Sequence, residues 1–290
     1  MVICQLAGGL GNQLFQYAYG FSRAKSLGVQ FKIDISFFDD YEWHEYSLSP
    51  FNISAEIATN AEIELLRSID NTLWHRVQRK LIGKKNHVVK EDNLKFNSNY
   101  LDISKSCYLI GYWQSAKYFE ENWNSLSSEF EILYPPSEEN LKLINILGND
   151  HFSISLHVRR GNYANIESVN KTHGTMPLEY YEKAIRYFGD LIQNPTFYIF
   201  SDDIEWARCS LKIPYNTIYV DINDEKSDFE DLRLMSLCKH NILANSTFSW
   251  WGAYLNKNPN KSVIAPKMWF KDEILNQQTT DLIPKSWIRI

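Results

Sequence analysis

The sequence predicts an α/β protein of two domains, each built on a parallel sheet. Three observations lead there. Short β-branched and aromatic runs alternate with stretches of helical spacing. The 290 residues exceed what one compact core usually holds. A break at Tyr134-Pro135-Pro136-Ser137, followed by acidic residues, divides the chain near its middle. The expected domains are residues 1–140 and 141–290. A composition of 44% hydrophobic and 22% charged residues is that of a folded globular chain.

The first predicted strand, 2–6, runs into Gly8-Gly9-Leu10-Gly11-Asn12 and then into a helix over 12–27. Glycines allow backbone to approach a ligand closely, and the free N–H groups of a helix start favour anions. The pattern is neither the dinucleotide G-x-G-x-x-G nor a Walker motif, so a tight structural turn explains it nearly as well. Asn12 suits a sugar hydroxyl or a phosphate; its plainer role is helix capping. A second strand is expected at 31–35. Leu66, Leu73, Val77 and Leu81 then mark an apolar helical stripe. Arg76, Arg79, Lys80, Lys84, Lys85 and Lys90 follow without an intervening carboxylate. They read as a solvated helix end with cations at its C-terminus. The sharper alternative is a peripheral contact for anionic lipid or for a pyrophosphate-linked acceptor. A strand at 107–112 completes the first half.

In the second half a strand over 152–158 ends in Arg159, Arg160 and Gly161. Ligands of open α/β sheets bind beyond the carboxyl ends of strands. Alternation puts His157 and Arg159 on one face, and the planar fork of an arginine there suits a phosphate. A surface salt bridge is the alternative for either arginine, and a core histidine for His157. A helix over 178–188 leads to a strand at 197–200 that delivers Ser201-Asp202-Asp203. Asp202 or Asp203 could accept from guanine or ribose, while the other caps the next helix. A strand at 217–220 and a helix over 229–239 precede a strand at 241–244. That strand delivers Asn245, Ser246, Thr247, Phe248 and Ser249 to a helix start, a cradle for a diphosphate that needs no lysine. Trp250 and Trp251 would anchor this helix in the core. The last predicted strand is 263–265.

Several classes are disfavoured. Cys4, Cys107, Cys209 and Cys238 form no C-x-x-C pair, which supports neither a zinc site nor a disulfide framework. A net charge of −5 argues against a nucleic-acid binder. The 9 Trp, 17 Tyr and 16 Phe leave rings to spare for stacking on sugars or a base, although most must be core. The chain passes from Met1 directly into a strand, with no basic leader and no apolar run of membrane-spanning length. The expectation is a cytoplasmic protein, at most peripheral to the inner face of a membrane.

Five segments together resemble the family 11 glycosyltransferases, which are mainly α-1,2-fucosyltransferases. They are Gly8-Gly9-Leu10-Gly11-Asn12-Gln13, Gly111-Tyr112-Trp113-Gln114-Ser115, His157-Val158-Arg159-Arg160-Gly161, Phe200-Ser201-Asp202-Asp203 and Asn245-Ser246-Thr247-Phe248-Ser249-Trp250-Trp251-Gly252. The order matches over nearly the whole chain, and the H-x-R-R-G and N-S-x-F-S-W-W-G motifs are specific. The resemblance implies a GT-B fold, with two Rossmann-like domains facing a cleft. Residues 141–290 would hold GDP-fucose and residues 1–140 most of a galactose-terminated or lipid-linked acceptor. Arg159 would contact the β-phosphate, and Asn245, Ser246, Thr247, Phe248 and Ser249 would line the diphosphate. Asp202 would recognise guanine or ribose, His157 would belong to the donor site, and Asn12 would reach the fucose or phosphate. Asn162 departs from the family's usual aspartate.

The implied reaction is an inverting transfer of L-fucose to a hydroxyl, O2 of a terminal galactose. It uses GDP-fucose as donor substrate and neither cofactor nor metal. No D-x-D occurs in the sequence. Glu167, Asp202 and His173 are nameable as the base. The alternatives are a GT-B transferase of other linkage or GDP-sugar, and a non-catalytic carbohydrate-binding protein.

Overall fold

The computed structural model describes residues 1–41, 43–68 and 87–290. Two compact units emerge, Met1–Leu133 with Thr280–Leu282, and Tyr134–Thr279 with Ile283–Ile290. Each carries a parallel sheet flanked by helices, so the chain has the α/β class and the paired Rossmann-like sheets of the GT-B type that the sequence predicts.

In the first unit the strands are β1 (Val2–Gln5), β2 (Phe31–Asp34), β3 (Glu56–Ile57), β4 (Val88–Lys90) and β5 (Cys107–Ile110). Their order is β3-β2-β1-β5-β4, with every pairing parallel. Helix α1 (Leu10–Leu27) follows β1 and buries most of its first four turns, including Tyr17 and Tyr19. It stops where Gly28 adopts φ 64°, so that the N–H of Val29 reaches Ala24 O and that of Gly28 reaches Lys25 O. Helix α2 (Asn60–Ser68) packs Ile63 and Leu66 with Ile3 and Tyr108 on one face of the sheet. Of the basic stretch, Arg76, Arg79, Lys80, Lys84 and Lys85 lie outside the described residues, and Lys90 is exposed at the end of β4.

The second unit has β6 (Ser153–Val158), β7 (Thr196–Ser201), β8 (Asn216–Tyr219), β9 (His240–Ile242), β10 (Val263–Ala265) and β11 (Ile288–Arg289). Their order is β11-β10-β9-β6-β7-β8. All six residues of β6 are buried, as expected of a central parallel strand covered on both faces. Ile154, Leu156, Phe197 and Ile199 pack with Tyr180, Tyr181, Ala184, Ile185 and Phe188 of the helix Leu178–Leu191. The alternate residues Tyr198 and Phe200 face Leu147, Leu234 and Met235 from the helices Glu138–Asn149 and Asp228–Leu237. Trp250 and Trp251 are fully buried and seat the helix Thr247–Leu255. That helix is closed at its C-terminus by Lys261, whose Nζ donates to Ala253 O at 2.7 Å and Asn256 O at 2.6 Å.

All eight expected strands form, with ends moved by a residue or two. The strands β3, β4 and β11 had no signal, because two or three residues cannot display a period. Among the described residues no helix is long and apolar enough to cross a membrane.

Gly20 marks how tightly α1 lies on its sheet. A Cβ there would fall 2.4 Å from the Phe31 ring and 3.0 Å from Cys4 Cβ. Gly20→Ala should therefore destabilise the protein by about 1–3 kcal/mol in urea unfolding, against a helix-propensity gain of about 1 kcal/mol. An unchanged or higher midpoint would mean that α1 is free to shift on the sheet.

Candidate functional site

In the second unit the chain starts at β6, winds outward through β7 and β8, and returns to β9 on the other side of β6. The direction of winding reverses between β6 and β9, and such a reversal opens a crevice at the carboxyl edge. Register sets Val158 opposite Ser201 and Leu156 opposite Ile242. Three sequence motifs are thereby delivered to one edge.

Arg159 leaves β6 with its Nη1 3.0 Å from Asp202 Oδ2. Its guanidinium lies 5.3 Å from the centre of the Tyr163 ring. Tyr163 stacks on His173 at 4.6 Å and 19°, and His173 rests on Phe270 at 5.2 Å. The column is tied at its margins: Asn170 Nδ2 donates to Tyr163 O at 2.6 Å, and the N–H of Lys271 to His173 O at 3.1 Å. A carboxylate on one side and a ring on the other thus fix the arginine, which remains partly exposed.

Arg160 takes a structural position. Its N–H donates to Asp202 Oδ1 at 2.7 Å, its Nε is 3.2 Å from Asp203 Oδ2, and its guanidinium covers Trp206 at 3.9 Å. Asp203 is the capping aspartate, accepting from the Trp206 N–H at 3.1 Å at the start of the helix Ile204–Ser210. Gly161 is required here. A Cβ on it would lie 2.4 Å from Asp202 Oδ2, displacing the carboxylate that holds Arg159.

His157 is buried beside Phe248, with ring centres 5.6 Å apart. Burial, and secondarily the charge of Arg159, push its pKa down to about 3, so the ring is neutral. Its Nδ1 has no partner among the described residues. Ser246 caps the helix Thr247–Leu255 by accepting from the Phe248 N–H, and Ser249 Oγ donates to Ser246 O at 3.2 Å. Thr247 and Phe248 stay partly exposed at that helix start. Asn245 is 1% exposed, and its amide nitrogen donates to the carbonyls of His173, Gly174 and Trp269. Its side-chain amide therefore clamps the loops that carry the Tyr163 column.

The other sequence candidates are more scattered. Glu167 is exposed in the first turn of the helix Glu167–Thr172, and Asn162 lies in the short helix Gly161–Asn165. Asn12 belongs to the first unit, where its Oδ1 accepts from Gln114 Nε2 at 3.0 Å.

Sequence reasoning assigned no role to five residues. Tyr163 and Trp206 support the two arginines. Asp228 opens the helix Asp228–Leu237 with a carboxyl pushed up to about 7 by burial and by Asp231, against the pull of Arg159. Gln13 and Gln16 are buried on α1 and bind the loops around it. Gln13 Nε2 donates to Gly8 O and Glu45 O at 2.8 Å each, and its Oε1 accepts from the Ser47 N–H. Gln16 accepts from the Ala7 N–H and donates to Gly111 O. Two amides three residues apart on an otherwise apolar helical face were the available signal.

The family model described as Glycosyl transferase family 11 matches residues 1–290. The chain is 33% identical to the O-antigen biosynthesis glycosyltransferase WbnK of Escherichia coli, over 98% of this chain and 99% of that protein. It is also 33% identical to an alpha-1,2-colitosyltransferase of Escherichia coli, over 100% and 99%. Galactoside alpha-(1,2)-fucosyltransferase 2 of Hylobates lar is 22% identical, over 86% and 67%. The crystal structure of fucosyltransferase NodZ from Bradyrhizobium matches at a TM-score of 0.48 and 16% identity, over 87% of this chain and 91% of that one.

The neutral His157 gives the second unit a signed pH dependence. Below about pH 6.5 the unfolded histidine takes up a proton that the folded one, with its depressed pKa, refuses, so stability falls as pH falls. Asp228, raised in the fold, acts in the opposite direction and is common to wild type and variant. Between pH 7 and pH 5 the wild type should lose about 2 kcal/mol more than His157→Gln in urea unfolding. Equal losses would show that His157 titrates as an ordinary exposed histidine.

Proposed function

The chain belongs to glycosyl transferase family 11, and from that premise we propose that it transfers L-fucose from GDP-fucose to O2 of a terminal galactose, with inversion and without a metal ion. The observation that carries this reading is Arg159, a fixed cation at the carboxyl end of β6, beside the start of the helix Thr247–Leu255. In such a displacement the acceptor oxygen bonds to the anomeric carbon as the bond to the GDP β-phosphate oxygen breaks. Negative charge then grows on the phosphate. A preorganised guanidinium and the positive end of a helix dipole stabilise that charge without having to reorganise.

In this reading Asp202 and Tyr163 act on Arg159 rather than on the nucleotide: they hold its charge and orientation before the donor arrives. Asn245 keeps the His173 and Trp269 loops in place, and His157 offers a neutral ring at the same edge. The first unit takes the acceptor. The acceptor's proton passes to a general base as the new bond forms.

A second reading has colitose in place of fucose, and the name of the Escherichia coli relative favours it. Colitose is 3-deoxyfucose. A site that hydrogen-bonds O3 discriminates strongly against the sugar lacking it, because its polar groups would be left unpaired.

GDP release should be followed in EDTA with GDP-fucose or GDP-colitose and methyl β-D-galactopyranoside, for wild type and Arg159→Ala. The expected result is turnover in EDTA that falls roughly 10²-fold or more in kcat for the variant, with one donor preferred. Turnover that appears only when a divalent ion is restored would refute the arginine-based account. Product linkage by NMR then checks O2 as the site of attack.

A further inference from the structure

In the first unit β1 lies between β2 and β5, and because these strands are parallel the loops after β1, β2 and β5 lie at one carboxyl edge. An aromatic cluster stands there. Tyr41 lies 4.7 Å from Phe37, 6.2 Å from Trp43 and 6.1 Å from His44, the last in a stacked arrangement at 28°. Trp43 is 53% exposed, Tyr41 36% and Tyr112, in the loop after β5, 43%. Aromatic rings are normally covered, and these open from adjoining loops at the edge where an open sheet takes its ligands.

The cluster is held in place from below. Gln13, itself fully buried, joins the Gly8 carbonyl to the backbone of Glu45 and Ser47. The loop bearing Trp43 is thereby tied to the start of α1. His44 lies against the turn, since a Cβ on Gly9 would be 3.4 Å from its Cε1. On the other side Glu91 accepts from the N–H groups of Tyr112 and Trp113, at 2.6 and 3.1 Å, and fixes Trp113 at φ 54°.

The charge around the rings selects the occupant. Asp39, Asp40 and Glu45 are exposed in the same segment, and no lysine or arginine occurs in the sequence between Lys32 and Arg67. A phosphate or an anionic lipid would be repelled. A neutral sugar would be welcome, because carboxylates accept from its hydroxyls while aromatic faces cover its C–H groups. A galactose ring suits such a face particularly well. Its axial O4 clears one side, where H3, H4 and H5 form a single apolar patch.

We infer that Tyr41, Trp43 and His44 form the acceptor subsite, stacking on the H3–H4–H5 face of a terminal galactose-type pyranoside. The inference rests on the reading of the chain as a transferase to a galactoside, and it assigns that acceptor to named residues. The three side chains are binding groups, with no part in bond making.

Saturation-transfer NMR tests it, with methyl β-D-galactopyranoside and its O4 epimer methyl β-D-glucopyranoside, on wild type, Trp43→Ala and Trp43→Phe in the presence of GDP. Trp43 is exposed, so its loss leaves the fold intact, and GDP affinity measured by calorimetry serves as the control. The expected result is saturation concentrated on H3, H4 and H5, affinity about tenfold weaker in Trp43→Ala and largely restored in Trp43→Phe. The glucoside should bind more weakly than the galactoside. Galactoside affinity indifferent to Trp43, with GDP binding and transfer intact, would overturn the subsite and leave the transferase reading standing. A self-association abolished by Trp43→Ala, without galactoside binding, would overturn it in favour of a second copy of the chain. Trp43-dependent galactoside binding in a protein that binds no GDP would sustain the subsite and sink the transferase reading.

Discussion

In a parallel sheet every strand ends at the same edge, and the pairing register decides which strand ends are neighbours. Here β6 pairs with β7 on one side and β9 on the other, with Val158 opposite Ser201 and Leu156 opposite Ile242. Arg159, Asp202 and the Ser246 cap are far apart in sequence, and they meet because those three strands end together. A slip of one residue would turn His157 to the opposite face and carry Arg159 away from Asp202. Continuous burial of β6 makes such a slip costly, since it would set Ser153 and Ser155 against the apolar layer formed by Tyr181, Ala184 and Phe188.

The second recurring device is the buried side-chain amide. Asn241 donates to Ser155 Oγ and Met235 O while accepting from Asn256, whose amide also reaches Cys238 O. Asn245 holds three carbonyls, and Gln13 and Gln16 bind the loops at the start of α1. Loops at a strand edge carry backbone groups that no ladder satisfies, and an unsatisfied buried group costs about 1–3 kcal/mol. An amide supplies donor and acceptor together without adding charge. These residues make loop geometry part of the core, so the groups at both edges are fixed in advance.

Charge at the second-unit edge is arranged with the same economy. Asp202 and Tyr163 hold Arg159 in its place, while Arg160, Asp203 and Trp206 form a neighbouring pair-and-stack that anchors the turn. The two adjacent guanidinium groups thus have distinct partners. His157 stays neutral because a second positive charge, buried next to Arg159, would be desolvated and repelled together. Arg159 is thus a partly exposed cation on a rigid support, the arrangement that suits charge developing on a leaving phosphate.

The amino-acid sequence determined the α/β class, the eight principal strands and the motifs that end them. Period and composition are local quantities, and a buried strand such as β6 displays both. Arg159, Asp202 and Ser246 could be named as candidates for the same reason, because each lies within two residues of the end of an apolar run. The tertiary structure alone decided what these residues touch. Nothing in Asn245 announces that its amide nitrogen is taken up by the carbonyls of His173, Gly174 and Trp269, since those partners come from distant loops. Nothing local places Tyr163 under Arg159 or joins Gln13 to Glu45 and Ser47. The exposed rings of Tyr41 and Trp43 read in sequence as any aromatic pair would, because exposure depends on what the rest of the chain leaves uncovered. Pairing between segments far apart in the chain is set by the global packing minimum, and a local pattern carries no record of it.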